Sequence, residues 1–288
     1  MSGAILDRMF YLLCLGAMET DRLYRRSDST LRIPPASDAL LWRYMPFERF
    51  AAMLETQSLW FTRVDHFRDP YESELPRNDR KLLQRKILLD PNAEIAEVRL
   101  ADYRGNPGPF TAREIGELMR TAAGVAQLLR RSTFVNCWHA NSHEDAGMWD
   151  RYGKQGEGVA VTTTLDRLIA SVADEPRPID IAHVEYMDYR VGSILDKSGE
   201  LNHPLLCCTK RDSFSQEQEV RLITLDASKS GPTIRGMALR CDITALVRDI
   251  YIDPDATPVF VKSVRATAKQ YGLMVRPIKS DLYTPLAH

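Results

Sequence analysis

Apolar positions recur at two periods along this chain, and the change from one period to the other divides it into segments. Leu41-Trp-Arg-Tyr44 reads as a short strand, with Pro46 where the first turn of a helix accepts proline. Phe47, Phe50, Ala51 and Leu54 then fall at i, i+3, i+4 and i+7, which predicts an amphipathic helix. Ser58-Leu-Trp-Phe-Thr-Arg63 reads as a second strand, followed by a charged, aromatic loop, Asp65 to Glu72. From Leu75 to Arg131 the pattern is helical. Arg80 to Leu89 and Ala93 to Tyr103 are charge-rich, and Thr111 with Glu114 form a capping box before Ile115, Leu118, Met119, Ala122, Ala126 and Leu129. About 55 residues make a marginal core alone. Residues 76–131 are therefore expected to be a helical insertion, a lid or side wall, within a single domain over 39–288.

The densest stretch is Phe134 to Gly153, followed by the β-branched run Gly158-Val-Ala-Val-Thr-Thr-Thr164. It predicts strand, short helix, strand, with Ser142 and Asp145 as a capping box, Met148, Trp149 and Tyr152 as the apolar helix face, and Gly153 as the stop. Thr164 caps a helix facing inward through Leu165, Leu168, Ile169 and Val172, and Ile179 to Tyr189 reads as a strand. In Glu217-Gln-Glu-Val-Arg-Leu-Ile-Thr-Leu225, strand alternation puts Glu217, Glu219 and Arg221 on one face, the two carboxylates roughly 7 Å apart at Cα. Asp249 to Asp253, a helix from Pro258 to Tyr271 ended by Gly272, and Leu273-Met-Val-Arg276 predict a strand-helix-strand close. The fold class that follows is α+β, with a split, mostly antiparallel sheet and the helical insertion.

Composition adds exclusions. With 288 residues, 44% hydrophobic, 27% charged and a formal charge of −1, the chain reads as an ordinary globular protein and not as a bulk binder of nucleic acid or membrane. Five cysteines at 14, 137, 207, 208 and 241, without a CxxC, fit a reducing cytoplasm. Met9 to Met18 is too short to span a membrane, and Thr20 to Ser37, rich in charge and proline, reads as a tether, so residues 1–38 form an N-terminal extension.

Three chemistries are written in the residues. Cys137, His139 and His143 give C-x-H-x3-H, and Cys207-Cys208 offer further thiols, but the spacing matches no standard zinc pattern and no metal is expected. Cys137 with His139 or His143 as base is a nucleophile arrangement, set against the commoner buried structural cysteine. The Glu217/Glu219 face is either a solvated sheet edge or the wall of a cleft. In a cleft one carboxylate stabilises a developing sugar cation or holds a ribose hydroxyl, and the other activates the acceptor.

The strings Leu41-Trp-Arg-Tyr44, Leu59-Trp-Phe-Thr-Arg63, Asp69-Pro-Tyr-Glu72, Cys137-Trp-His139, Met148-Trp-Asp-Arg-Tyr152 and Lys210 to Arg221 resemble the bacterial domain of unknown function 2971 over about residues 40 to 275. The motif order is more distantly similar to the ADP-ribosyltransferase superfamily. That resemblance implies an ADP-ribosyltransferase-like fold with NAD as cofactor. It also implies that Arg43 contacts the phosphate or ribose and that Tyr44 or Trp149 stacks on nicotinamide. By the same resemblance Asn136 hydrogen-bonds the dinucleotide, Glu219 is the catalytic glutamate, and Glu217 orients the acceptor. Where that superfamily usually carries Ser-Thr-Ser in its middle strand, this chain has Asn136-Cys-Trp138. The leading expectation is NAD-dependent ADP-ribosyl transfer to a protein or nucleic-acid acceptor, in the cytoplasm and away from membranes, as an intracellular toxin or defence effector. One alternative is a non-catalytic nucleotide- or nucleic-acid-binding module, with Lys210, Arg211, Arg63 and Trp138 as a basic aromatic face. The other is a Cys/His hydrolase or nuclease.

Overall fold

The computed structural model describes residues 38–89, 117–118, 120–154, 156–195 and 206–285. The N-terminal extension, the helix expected over 93–103 and the capping box at Thr111 and Glu114 lie outside the described residues. Within them the architecture is mixed α/β around a large, mostly antiparallel sheet. No described helix is long and apolar enough to cross a membrane.

The first half follows the apolar periods. Strand β1 (Leu40–Pro46) leads into helix α1 (Phe47–Thr56), which buries Phe50, Met53 and Leu54. Strand β2 is Ser58–Arg63. Helices α2 (Arg77–Leu89) and α3 (Ala122–Ser132) share a small apolar cluster of Leu83, Ile87, Val125 and Leu129 with Leu75, Ile194 and Leu206. Strand β3 (Thr133–Ala140), helix α4 (Ala146–Tyr152), strand β4 (Gly158–Thr164) and helix α5 (Leu165–Ser171) follow, α5 capped by Thr164 as expected. The N-cap of α4 is Asp145 itself, whose carboxylate accepts from Met148 N at 2.9 Å, so the helix starts later than a Ser142 cap would start it. Gly153 stops α4 by close approach: its φ is −71°, and a Cβ there would meet the Trp149 carbonyl oxygen at 2.6 Å.

In the second half, the strand expected over Ile179 to Tyr189 is divided into β5 (Asp180–His183) and β6 (Glu185–Met187). Strands β7 (Thr209–Arg211), β8 (Glu219–Leu225) and β9 (Gly236–Arg240) lead to helix α6 (Ile243–Leu246). Strand β10 (Asp249–Ile252), helix α7 (Pro258–Gln270) and the two-residue β11 (Ile278–Lys279) close the fold. The expectation of a strand at 273–276 is corrected. After Gly272, at φ +77°, Leu273 turns back into the core while Met274 points to solvent, and pairing resumes only beyond Pro277.

Strand β3 is where the sheet divides. Its whole length pairs with β8, from Thr133↔Leu225 to His139↔Glu219. Its other edge is shared: β1 pairs at Leu41↔Ala140 and Trp42↔His139, and β2 at Thr62↔Val135 and Arg63↔Phe134. Between these two branches the backbone of β3 has no strand beside it, and side chains bridge the gap. Arg43 Nη1 donates to Cys137 O at 3.2 Å, Asn136 Nδ2 to Trp60 O at 2.8 Å, and Trp138 Nε1 to Asn136 Oδ1 at 2.7 Å. The Arg43 guanidinium lies over the Trp138 ring, and burial lowers its pKa to about 10.

Side-chain alternation then gives the sheet two unlike faces. One buries Leu41, Met45, Phe61, Phe134, Trp138, Val159 and Val161 against α1, α5, α6 and α7, and it is the main core. The opposite face, called the front here, packs Trp42, Tyr44 and Ala160 against Met148 and Trp149 of α4.

Asn136→Ala leaves both the Trp60 carbonyl and the Trp138 N–H unpaired inside the fork. At about 1–3 kcal/mol for each stranded buried group, the variant should lose about 2–6 kcal/mol, read as a lower urea midpoint at unchanged slope. A midpoint equal to wild type would show that the amide does not hold the branches together.

Candidate functional site

The front face places its charges where β7 and β8 meet. Glu217 is not in the strand. It ends a 3₁₀ turn, Asp212–Glu217, and Gln218 takes a left-handed conformation at φ 38° before β8 begins at Glu219. This corrects the picture of two glutamates at strand spacing on one face. The reversal at Gln218 instead folds both carboxylates onto one ammonium. Lys210 Nζ lies 2.5 Å from Glu217 Oε2 and 2.6 Å from Glu219 Oε1.

The cluster extends outward from that lysine. Arg221, which does share a face with Glu219, donates Nε to Glu219 Oε2 at 2.7 Å and Nη1 to Glu72 Oε1 and to Cys207 O, both at 2.6 Å. Glu72 Oε2 is also 3.6 Å from Lys210 Nζ. On the solvent side, Arg151 of α4 hydrogen-bonds Glu217 Oε1, and Tyr152 OH donates to the same oxygen at 3.2 Å. Tyr186 OH accepts from Glu219 N at 2.9 Å. Glu72, Glu217 and Glu219 thus face Lys210, Arg221 and Arg151, a balanced set buried except for Arg151 and Tyr152. Balance of this kind is what permits ionised groups inside a protein, since an unpaired buried charge costs several kcal/mol.

The two glutamates titrate in opposite directions. Burial opposes ionisation of Glu219, but the charges of Arg221 and Lys210 outweigh it and hold its carboxyl well below the usual range. Burial, then the hydrogen bond and charge of Glu219, push Glu217 up against the pull of Lys210. One carboxylate is thereby fixed as an anion while its neighbour is readied to bind a proton, the arrangement that distinguishes the two partners of an acid–base pair.

The residues expected at the site divide between the faces. Glu217, Glu219, Tyr44 and Trp149 come together on the front, where the Tyr44 ring is 6.5 Å from that of His139 and 4.9 Å from that of Trp149. Both aromatics are buried and mutually packed, with Tyr44 OH accepting from Asp145 N and Trp149 Nε1 donating to Glu144 Oε2. Arg43 and Asn136 are not brought to this cluster: they point to the other face and close the fork. Glu72, Lys210, Arg221, Arg151, Tyr152 and Tyr186 join the site without having been singled out for it. The shared parity of Glu219 and Arg221 joined one of them to the pair; Glu72, Arg151, Tyr152 and Lys210 stood in the strings that carry the family resemblance, without a role beside Glu219.

The competing chemistries fare differently. Of the expected basic aromatic face, Lys210, Arg63 and Trp138 are buried, Arg63 against Asp65 and the Lys229 and Gly231 carbonyls, and only Arg211 is partly exposed, paired with Asp69. Burial pushes the Cys137 thiol up to about 12, His139 Nδ1 bonds Glu217 O, and His143 is exposed, so no thiolate–imidazole pair is assembled.

Comparison with known proteins finds similarity to a family model and to solved structures. The model of the family described as "Protein of unknown function (DUF2971)" matches residues 148–222, from α4 to the middle of β8. Among solved structures, DarT from Thermus sp. 2.9 in complex with carba-NAD+ aligns with a TM-score of 0.32 and 11% identity, over 85% of this chain and 96% of that one. No curated protein matches the sequence.

Because the Glu217 carboxyl titrates higher folded than unfolded, its contribution to stability is full below the unfolded value of about 4.3 and is lost as pH rises through the folded value. Glu217→Gln abolishes that titration. Urea midpoints compared from about pH 4 to about pH 8 should therefore move in the variant's favour, relative to wild type, as pH rises. A pH-independent difference would mean the carboxyl is not shifted.

Proposed function

We propose that this protein is an NAD-dependent ADP-ribosyltransferase whose chemistry is carried by Glu219, with Glu217 as its partner. The observation that carries the reading is the pair itself: two adjacent carboxyls, one held ionised and one pushed up, beside an aromatic wall. The resemblance in motif order points the same way.

The reaction asks for such a pair. The bond between the nicotinamide nitrogen and ribose C1′ breaks, its electron pair stays on the nitrogen, and the pyridinium charge is neutralised as positive charge grows on the sugar. A fixed carboxylate stabilises that sugar cation, and more so in a water-poor site. Glu219 fills this role because Lys210 and Arg221 keep it ionised without a bound proton. The acceptor nucleophile then bonds to C1′ and gives up its proton, for which Glu217 is the base. Arg151 and Tyr152 occupy the outward oxygen of Glu217, so the acceptor approaches from α4 by displacing them. Tyr44 and Trp149 form the apolar wall beside the carboxyl pair, and Arg43 and Asn136 act from behind by fixing the fork. The acceptor is a macromolecule in this reading, and the free thiols of Cys137, Cys207, Cys208 and Cys241 accord with a reducing cytoplasm.

Glu219→Gln keeps the shape and removes the anion. Nicotinamide release from NAD should fall by about 10²-fold or more, the scale of losing one preorganised electrostatic stabiliser, while NAD still binds. Because Gln leaves Arg221 short of its counter-charge, the melting temperature is measured alongside. A folded Glu219→Gln with wild-type release, or a wild type that neither binds NAD nor releases nicotinamide, would overturn the reading.

A further inference from the structure

One buried acceptor on the front face, a nitrogen of His139, is left with neither a hydrogen bond nor an ion pair among the described residues. His139 in β3 is only 2% exposed. Its Nδ1 lies 2.7 Å from the backbone oxygen of Glu217. A carbonyl oxygen can only accept, so Nδ1 carries the hydrogen, and in the neutral ring Nε2 keeps its lone pair. Among the described residues nothing donates to that Nε2. A buried acceptor without a donor costs stability, whereas an apolar side chain of similar size would fill the space at no such cost.

Its surroundings say what the lone pair is for. The Cα partner of His139 in β8 is Glu219, and directly opposed residues of an antiparallel pair place their side chains together on one face. Its other cross-strand partner is Trp42, and the Tyr44 ring stands 6.5 Å away. Through Nδ1 it touches the main chain of Glu217. The ring therefore sits beside Glu219, the main chain of Glu217 and the aromatic wall, held in one tautomer by a backbone bond. Lys210, Arg221, Tyr152 and Tyr186 all act within the cluster, Arg221 Nη2 as an ion-pair contact 2.6 Å from Glu219 Oε2.

We infer that His139 Nε2 is a ligand-contacting acceptor of this site, taking a hydrogen bond from a hydroxyl or an amide N–H of the molecule bound beside Glu219. A ribose hydroxyl and a carboxamide N–H both supply that donor. The inference rests on the transferase reading only for this choice of ligand class. No proton changes owner; the imidazole orients the ligand against the carboxylate.

Two substitutions separate ligand contact from structure. In His139→Asn the amide reaches the Nδ1 position and can still donate to Glu217 O, but Nε2 is gone. In His139→Gln an oxygen reaches the Nε2 position, while the bond to Glu217 O is weakened. The primary measurement uses wild-type protein labelled with ¹⁵N in its imidazoles, titrated separately with NAD, ADP-ribose and nicotinamide. The expected result is that the His139 Nε2 resonance leaves its lone-pair position for a hydrogen-bonded one with NAD and with at least one of its two parts. His139→Asn should fold with a melting temperature near wild type yet bind about 5- to 10-fold more weakly, the size of one lost hydrogen bond, and His139→Gln should recover part of that loss. A resonance unmoved by all three molecules, or His139→Asn binding as tightly as wild type, overturns the inference. If ADP-ribose moves the resonance and no nicotinamide is ever released from NAD, this inference stands and the transferase reading falls. If release proceeds with Nε2 unmoved, the reverse holds.

Discussion

The front face depends on the Lys210 ammonium. Two carboxylates about 4 Å apart repel by about 4 kcal/mol at an effective dielectric constant of about 20, and nothing in β8 alone would hold Glu217 and Glu219 together. A single cation at 2.5 Å and 2.6 Å from their oxygens attracts each more strongly than they repel, because both distances to it are shorter. Its position has structural consequences. It ties β7 to the start of β8, gives the left-handed Gln218 a reason to exist, and leaves the second oxygen of Glu219 to Arg221, which in turn engages Glu72. Lysine suits the centre of such a group better than arginine would, since a compact charge on a flexible stem reaches several oxygens without imposing a planar fork.

Strand parity decides which residues can serve one site. Arg43 and Tyr44 are neighbours in β1, so they cannot both face the glutamates, and the same holds for Asn136 and Cys137 in β3. The resemblance to a transferase assigned Arg43, Tyr44 and Asn136 to one ligand. The fold gives Tyr44 to the front and the other two to the gap between sheet branches. Their polarity is explained by that gap: where a sheet forks, backbone groups lose their strand partners, and an amide and a guanidinium stand in for the missing strand.

Much of the framework was legible because single physical rules governed it. The i, i+3, i+4, i+7 positions at Phe47 to Leu54 became α1, the β-branched run at Gly158 became β4, and Thr164 and Pro258 marked helix starts. What could not be read depended on contacts between distant segments. A glutamine at positive φ carries no sequence signal of the kind glycine does. A buried lysine runs against the ordinary preference for exposure, and it becomes acceptable only once Glu72, Glu217 and Glu219 arrive from elsewhere in the chain. The tail of the fold misled for a local reason: Leu273-Met-Val-Arg276 has strand composition, yet a turn at Gly272 and a proline at 277 leave β10 only Ile278 and Lys279 to pair with.

The fork at β3 also bears on how the chain is assembled. None of the neighbours of that strand is local: β1 and β2 precede it by most of a hundred and by about seventy residues, and Glu219 stands 80 positions after its partner His139. Closing such loops must be completed before the contacts reward it, which slows folding relative to proteins built from nearby pairs. During synthesis, β3 waits with one edge open until β8 has been made. Its polar Asn136 and His139 interrupt what would otherwise be an apolar, β-prone segment, and so lower the risk of pairing with the wrong strand in that interval.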